Sequence, residues 1–227
     1  MVKALSDWTL VYDLDGTLVD SAPDLHAALN HTLATLGLGP VDLSLIRQMI
    51  GDGAKALIKK GLAEHHAPIH AEQIDNDLWP VFIDYYTHNA TQLSQVFPGA
   101  RACLESFRDA GLTQVVCTNK PEALAQIVLR DLSLESFFTA LSGGDTYPYR
   151  KPDGRHILRL LDQAGGQPDK AVMIGDSHTD EAAAHNAGLP FIFVRFGYGQ
   201  LSHIHTPHTL SIDHWKALPD ALERLAG

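Results

Sequence analysis

Helical and strand patterns alternate from residue 97 to residue 212, and this alternation constrains the fold more than any other feature. Short apolar runs rich in strand-forming residues predict strands, with helical patterns between most of them, at residues 114–117, 137–141, 171–174, 190–194 and 209–212. Such an order favours a parallel sheet with helices on both faces. We therefore predict an α/β fold, with a doubly wound Rossmann-like parallel sheet as its core.

A block without strand patterns interrupts this core. The run Thr-Leu-Val-Tyr at residues 9–12 predicts a first strand of the same sheet. Four helices are then predicted at residues 21–36, 43–50, 54–65 and 71–89. We therefore predict a discontinuous α/β core domain of residues 1–19 and 93–227, with an all-helical cap domain of residues 20–92 inserted after the first strand.

Two local signals refine the predicted cap helices. Ser21 and Asp24 have the spacing of a capping box, with Pro23 in the first turn. Pro80 lacks the backbone N–H that an interior helical position needs, so it predicts a kink in the fourth helix.

Composition limits the partners of the chain. The net charge of -10 argues against binding to nucleic acid or to an anionic membrane, because both need a basic surface. Two cysteines cannot form a disulfide framework. No apolar stretch reaches the roughly 20 residues of a membrane span, and the N-terminus has no signal-peptide pattern. We expect a cytoplasmic protein, and the sequence leaves its oligomeric state open.

Reactive side chains follow several predicted strands. Asp13 and Asp15 come directly after the first strand, Thr118 and Asn119 follow another, and Asp176 a third. Ligands of open parallel sheets bind beyond the carboxyl ends of the strands, at the point where the strand order reverses. A sheet core does not require polar groups at these positions, so their repetition predicts a functional site.

The acidic residues of this predicted site favour a metal ion. Asp13, Asp15, Asp176 and Asp180 would crowd negative charge, which opposes folding unless a cation is present. Mg²⁺ prefers oxygen ligands and keeps several waters, so it suits such a set. A bound Mg²⁺ would also attract phosphate.

Phosphate ligands are present as well. The Thr118 hydroxyl and the backbone N–H groups before the helix at Pro121 can donate to an anion, and Lys151 supplies a positive charge. Carboxylates, a divalent cation, a hydroxyl and a lysine together suit phosphoryl transfer. Simpler interpretations remain open: Thr118 as a helix-entry hydroxyl, Lys151 as a solvated loop residue and Asp180 as a helix cap.

The sequence resembles the haloacid dehalogenase superfamily, in its phosphoglycolate phosphatase-like branch. The four motifs that carry the resemblance are Asp13-Leu-Asp15-Gly-Thr17, Thr118-Asn-Lys120, Lys151-Pro152 and Gly175-Asp176-Ser177-His-Thr-Asp180. Weaker features indicate the branch: Gly51-Asp52-Gly53-Ala54, Ser142-Gly-Gly-Asp145 and Phe196-Gly197-Tyr198-Gly199. One departure is Asp153-Gly154-Arg155-His156, where the family often has a second proline.

The resemblance implies a role for each acidic residue. Asp13 would be the nucleophile and form an aspartyl-phosphate. Asp15 would protonate the leaving alcohol and then activate water, and its backbone carbonyl would bind the metal. Asp176 would bind Mg²⁺ together with Asp13. Asp180 would orient Lys151 or a metal-bound water.

The resemblance also implies the phosphate ligands. Thr118 and Lys151 would hold the phosphoryl oxygens. Further candidates for binding the phosphate or the substrate are Gly16, Thr17, Asn119, Gly51 and Lys55. Lys55 and Arg47 also fit as plain surface charges of the cap.

The implied function is a Mg²⁺-dependent phosphatase for a small phosphorylated metabolite, with 2-phosphoglycolate as the expected substrate. A sugar phosphomutase of the same fold is the main alternative. A receiver-type module phosphorylated on aspartate is about half this length and lacks the second acid. Asp15 disfavours a dehalogenase, and a phosphonatase would need a cap lysine such as Lys55, Lys59 or Lys60.

Overall fold

The computed structural model describes residues 5, 7–68, 70–201 and 209–226. Its strands are β1 (Thr9–Tyr12), β2 (Val19–Asp20), β3 (Gln95–Val96), β4 (Thr113–Cys117), β5 (Ala140–Ser142), β6 (Ala171–Gly175), β7 (Phe191–Val194) and β8 (Thr209–Ile212). Six of them form one sheet in the order β5-β4-β1-β6-β7-β8, and every neighbouring pair is parallel. This confirms the predicted α/β architecture.

The helices cover both faces of this sheet and the segment between β2 and β3. They are α1 (Ala22–Ala34), α2 (Leu43–Met49), α3 (Ala54–Glu64), α4 (Ala71–Gln73), α5 (Trp79–Asn89), α6 (Ala100–Asp109), α7 (Glu122–Asp131), α8 (Arg155–Ala164), α9 (His178–Ala187) and α10 (Leu218–Ala226). A π-helical turn (Ile74–Leu78) joins α4 to α5. None of the described helices is long and apolar enough to cross a membrane.

Side-chain alternation along the central strands divides the core into two layers. Leu10 and Tyr12 of β1 face one layer, which continues into the cap helices. Val11 lies in register with Val115 and Met173, and all three face the other layer, beneath α8 and α9. Because both faces of the sheet are buried, its central strands are continuously apolar rather than alternating.

The region between β2 and β3 is helical. The described residues from 21 to 94 contain helices and no strand. The strands β2 and β3, which stand at the two ends of this helical region, pair as an antiparallel ladder with Val19 opposite Val96. Pro80 lies in the first turn of α5, directly after the π-helical turn, and not in the interior of a longer helix. The backbone N–H groups of a first turn have no partner within their own helix, so the missing N–H of the proline is tolerated there.

The predicted capping box at Ser21 and Asp24 is wrong. Ser21 does precede α1, but its side chain caps no backbone N–H and its Oγ donates to Asp15 Oδ1 at 2.5 Å. The Asp24 carboxylate accepts from the backbone N–H groups of Leu93 and Ser94 and from Ser94 Oγ, at 2.6 to 3.1 Å. Both side chains join distant segments, which helix-boundary spacing cannot reveal.

The strand predicted at residues 137–141 is also displaced. Phe137 ends a 3₁₀ turn (Glu135–Phe137), and β5 begins only at Ala140. The rings explain the error, because Phe137 is buried from the turn and Phe138 lies edge-on to Tyr12 with centroids 6.0 Å apart. An apolar run can therefore be core without being strand.

Candidate active site

The site lies where the order of the strands reverses, between β1 and β6. Asp13 follows β1, and its backbone N–H donates to the carbonyl of Ile174 in β6 at 3.0 Å. Asp176 follows β6 directly. The two buried carboxylates therefore stand side by side at the carboxyl ends of adjacent parallel strands, as the sequence predicts.

Lys151 bridges two of the buried carboxylates. Its Nζ lies 2.8 Å from Asp13 Oδ1 and 2.6 Å from Asp180 Oδ1. Lys151 is only 2% exposed, so the alternative of a solvated loop lysine does not hold. Burial lowers the pKa of its ammonium group, but Asp13 and Asp180 outweigh this and raise the pKa above its ordinary value.

Asp180 does two things at once. Its Oδ2 accepts from the backbone N–H of Ser177, and Ser177 Oγ caps the Asp180 N–H, which completes a capping box at the start of α9. Its other oxygen, Oδ1, holds Lys151. The same carboxylate therefore caps α9 and contacts the lysine.

Asp176 is held by a cradle of polar groups. Its Oδ1 accepts from Thr17 Oγ1 at 3.2 Å, and its Oδ2 accepts from the backbone N–H groups of Tyr198 at 2.7 Å and Gly199 at 3.3 Å. Gly16 has a φ of +87°, and a Cβ there would collide with the Asp176 carboxylate and the Tyr198 ring. Gly16 and Thr17 therefore position Asp176.

The electrostatics of this cluster favour a bound cation. Burial, opposed by Lys151, raises the pKa of Asp13 to about 7. Burial and the neighbouring charge of Asp180 raise the pKa of Asp176 to about 8. One oxygen from each of Asp13, Asp176 and Asp180 lies within 4.8 Å of the others. Three carboxylates against one lysine leave an excess of negative charge, so this set of oxygen donors fits a divalent metal ion.

Asp15 lies beside this cluster, in a second charge pair. Both of its carboxylate oxygens are 3.1 Å from Lys120 Nζ, and Oδ1 also accepts from Ser21 Oγ. Lys120 is buried and donates to the Tyr86 hydroxyl in α5 at 2.7 Å. A residue of the core thus joins the predicted general acid to the cap.

Thr118 and Asn119 follow β4 on the other side of β1. Thr118 is buried, and its Oγ1 accepts from the backbone N–H of Lys120 at 3.2 Å, in the turn before α7, which has no side-chain cap. Asn119 Nδ2 donates to the carbonyl of Lys151 at 2.9 Å and to that of Gly51 at 3.1 Å. The side chain of Asn119 therefore ties the Gly51 loop of the cap to the core.

The polar residues that follow β1 and β4 face a cavity between the sheet and the cap helices. The space in and in front of this cavity, open solvent included, is about 480 Å³. Asp13, Asp15, Thr118, Asn119 and Lys120 line its polar side. Its remaining wall is mostly apolar and consists of Leu25, Ile50, Gly51, Gly53, Ala54, Leu57, Phe82, Tyr86, Pro121 and Leu124.

Lys55 is not among the residues that line the cavity. Its Nζ pairs with Asp75 Oδ1 at 2.6 Å and lies 5.3 Å from the centroid of the Trp79 ring. About half of the Lys55 side chain is exposed. The acidic partner and the aromatic ring of the cap surface hold the amine there, so the interpretation as a surface charge fits and Lys55 leaves the candidate site.

Sequence reasoning missed three side chains that shape the site. Lys120 belongs to the Thr118-Asn-Lys120 motif, and Tyr86 lies within the fourth predicted cap helix, but neither position marks a site residue in the sequence. Tyr198 was a branch feature, yet its hydroxyl donates to Asp20 Oδ1 at 2.6 Å and accepts from the Ala22 N–H at 3.0 Å. The contacts of these side chains join residues far apart in the chain, so no local spacing reports them.

Comparison with known proteins decides the family. The family described as haloacid dehalogenase-like hydrolase matches residues 10–194. The chain belongs to this family.

Two curated relatives of this haloacid dehalogenase-like chain are named phosphoglycolate phosphatase. The phosphoglycolate phosphatase of Agrobacterium fabrum is 41% identical over 212 residues, which cover 93% of this chain and 91% of that protein. The phosphoglycolate phosphatase of Caulobacter vibrioides is 45% identical over 194 residues, covering 86% and 81%.

A solved structure is also similar to this chain. That of a predicted phosphoglycolate phosphatase from Haemophilus somnus aligns with a TM-score of 0.85 at 26% identity, covering 95% of this chain and 97% of the other.

Proposed function

We propose that this protein is a metal-dependent phosphatase that hydrolyses 2-phosphoglycolate. The observation that carries the proposal is the position of Asp13, whose carboxylate is paired with Lys151, lies next to Asp176 and faces the cavity. Relatives at 41 and 45% identity that are named phosphoglycolate phosphatase support the substrate.

The proposed metal ion is Mg²⁺. Asp13, Asp176 and the backbone carbonyl of Asp15 would hold it, with Asp180 nearby, because all of these donors are oxygens. When bound, Mg²⁺ would neutralise the excess of carboxylate charge and attract the phosphate oxygens of the substrate.

Asp13 performs the first chemical step in this proposal. One carboxylate oxygen of Asp13 attacks phosphorus, and the bond between phosphorus and the ester oxygen breaks. Asp15 gives its proton to the departing oxygen, so the products of this step are the alcohol and an aspartyl-phosphate on Asp13. Lys151 and the Thr118 hydroxyl hold the phosphoryl oxygens during the transfer.

Water completes the cycle. Asp15, now ionised, takes a proton from a water molecule that attacks the phosphorus. The bond between phosphorus and the Asp13 oxygen breaks, which releases inorganic phosphate and restores the Asp13 carboxylate, while Asp15 regains its proton. Lys120 and Ser21 keep Asp15 aimed at the cavity for both transfers.

The two-domain division belongs to the proposal. A core of residues 1–19 and 93–227 would carry the chemistry, and a cap of residues 20–92 would close over the substrate and exclude water. A junction between the two domains near residues 19 and 93 is supported by two contacts. The strands β2 and β3 pair with each other, and Asp24 accepts hydrogen bonds from residues 93 and 94. The cytoplasmic location and the absence of nucleic-acid and membrane binding stay predictions from composition.

The cavity wall disfavours the phosphomutase alternative. A sugar phosphate needs several hydrogen-bonding groups for its hydroxyls, whereas Leu25, Leu57 and Phe82 offer none. A Schiff-base lysine is disfavoured too, because none of Lys55, Lys59 and Lys60 lines the cavity. Lys55 and Lys60 are paired with Asp75 and Asp52, and Lys59 is exposed.

The experiment is phosphate release from a panel of esters, with Mg²⁺ and with EDTA. The panel contains 2-phosphoglycolate, glucose phosphates, nucleotides and phosphonoacetaldehyde. We expect release that requires the metal and prefers 2-phosphoglycolate, that is abolished by Asp13→Asn and that is kept by the surface control Asp109→Asn. Release at the parent rate from Asp13→Asn would refute the mechanism, and a strong preference for another ester would refute the substrate.

A further inference from the structure

We propose that Lys120, assisted by the hydroxyl of Tyr86, binds the carboxylate of the leaving group and thereby selects phosphorylated carboxylic acids as substrates. This inference rests on the proposed phosphatase function and names the residues that would set its substrate class. It concerns the leaving-group side of the cavity, separate from Lys151 and the acidic cluster.

Lys120 is the only cationic side chain that lines the cavity within the described part of the chain. Its neighbours on the cap side are apolar, among them Leu25, Leu57 and Phe82. A negative charge on a leaving group would be costly to bury against such a wall unless it met a cation. The position of Lys120 therefore determines where such a charge can bind.

The order of the contacts places Lys120 next to the leaving group. Asp13 attacks the phosphorus, and Asp15 must reach the departing oxygen to protonate it. Lys120 Nζ lies 3.1 Å from both Asp15 oxygens. In 2-phosphoglycolate a single methylene separates the departing oxygen from the carboxylate, so a substrate in contact with Asp15 brings its carboxylate to Lys120.

The donors at this point suit a carboxylate. An ammonium group has three N–H donors, and Lys120 directs them to both oxygens of Asp15 and to the Tyr86 hydroxyl. A substrate carboxylate would take the place of one Asp15 oxygen, which leaves Asp15 held by the other. The Tyr86 hydroxyl accepts from Lys120 at 2.7 Å, which leaves its own O–H to donate to a substrate oxygen. Burial lowers the pKa of Lys120, but Asp15 and Tyr86 raise it above its ordinary value, so the ammonium stays charged.

The pair also spans the junction between the core and the cap. Lys120 follows β4, whereas Tyr86 belongs to α5, and the Lys120 ammonium lies 4.5 Å from the centroid of the Tyr86 ring. A carboxylate that bridges the two side chains would hold the cap helix against the core. Substrates without this carboxylate would lose both the contact and the closure.

The test compares two esters in three proteins. The esters are 2-phosphoglycolate and 2-hydroxyethyl phosphate, which has an alcohol in place of the carboxylate. The proteins are the parent, Lys120→Met and Tyr86→Phe, with folding checked by circular dichroism. We expect the parent to favour 2-phosphoglycolate in kcat/KM, and Lys120→Met to reduce that preference by about 100-fold, the effect of losing a hydrogen bond between charged groups.

Tyr86→Phe separates specificity from chemistry, since it keeps Lys120 and Asp15. We expect its KM for 2-phosphoglycolate to rise by roughly 10- to 100-fold, the effect of one hydrogen bond to a charged group, and to rise much more than its KM for 2-hydroxyethyl phosphate. This variant also tests the inference if Lys120→Met does not fold.

Several outcomes overturn the inference. Equal losses for both esters in Lys120→Met would mean that Lys120 acts only through Asp15. An unchanged KM in Tyr86→Phe would remove the hydroxyl from the carboxylate site. A parent protein that hydrolyses both esters equally well would refute the inference and leave the phosphatase activity standing. A parent that hydrolyses neither would refute the proposed function and the inference with it.

Discussion

Replacing Asp13 with asparagine should abolish turnover and yet stabilise the metal-free protein. The pKa of Asp13 is raised from 3.8 to about 7 by burial. The folded protein therefore holds a proton that the unfolded chain releases between these pH values. Between pH 3.8 and about pH 7, each pH unit lowers the free energy of unfolding by about 1.4 kcal/mol. At pH 8 the ionised Asp13 therefore destabilises the folded protein by about 4 kcal/mol. The amide has a burial cost of its own, about 2 kcal/mol, so we expect a net gain of about 2 kcal/mol.

Urea denaturation followed by tryptophan fluorescence measures this gain. At pH 8 in EDTA, Asp13→Asn should be more stable than the parent, and at pH 5, where Asp13 binds a proton in the folded parent, the gain should shrink. Saturating Mg²⁺ should stabilise the parent more than the variant, because the variant lacks one proposed ligand; a ligand at 100 times its Kd contributes about 2.7 kcal/mol. The exposed control Asp109→Asn should change neither quantity.

Two results would refute this reasoning. If Asp13→Asn is less stable than the parent in EDTA at pH 8, the ion pair with Lys151 outweighs the burial of Asp13. If its gain is the same at pH 5 and pH 8, the ionised carboxylate is not the source of the instability.

Three further predictions follow from other contacts. Asp24→Ala should lower the free energy of unfolding by about 3 kcal/mol in urea denaturation, because the bonds from Ser94 and its N–H lose a buried acceptor; a loss below 1 kcal/mol would contradict this. Burial lowers the pKa of His156 to about 4, so the free energy of unfolding of the parent should fall by about 3 kcal/mol as the pH falls from 6.5 to 4. His156→Gln should remove that part of the pH dependence, and parallel pH profiles of the two proteins would contradict this. Gly16→Ala should displace Asp176 and reduce kcat at least about 100-fold with the fold retained by circular dichroism, whereas an active variant would show that the cradle tolerates a methyl group.

The sheet was predictable because its strands are short, apolar and separated by helices. The apolar run at 9–12 became β1 with the predicted bounds, and 209–212 became the edge strand β8. Parallel pairing then brings Asp13 and Asp176 together whatever the details of the loops, since both follow strands that are neighbours in the sheet. Position relative to a strand end is therefore enough to locate a site of this kind.

What the sequence could not predict depends on contacts between distant segments. Asp24 has capping-box spacing but bonds to Ser94, 70 positions along the chain. Lys120 and Tyr86 meet only because the cap folds over the core. Lys55 shows the converse, because a lysine near a predicted binding loop lies on the outer surface with Asp75. Such choices depend on which face of a helix packs inward, and the periodicity of a weakly amphipathic helix does not determine that.

His156 shows that a residue that departs from a family pattern can have a structural role. It stands near the place where the family often has a second proline, and its buried ring bonds to Ser142 Oγ at 2.6 Å. The other ring nitrogen accepts from the backbone N–H of Lys151 at 3.2 Å. The histidine thus anchors the loop that carries the site lysine, a task that its sequence position alone did not indicate.

The most direct test of the account is to trap the phosphorylated enzyme. The protein would be mixed with 2-phosphoglycolate labelled in its phosphate and Mg²⁺, quenched in acid during turnover and digested for mass spectrometry. We expect a phosphoryl group on the peptide that contains Asp13, at no more than one per chain, and none in Asp13→Asn. Turnover without any label on Asp13 would contradict the account.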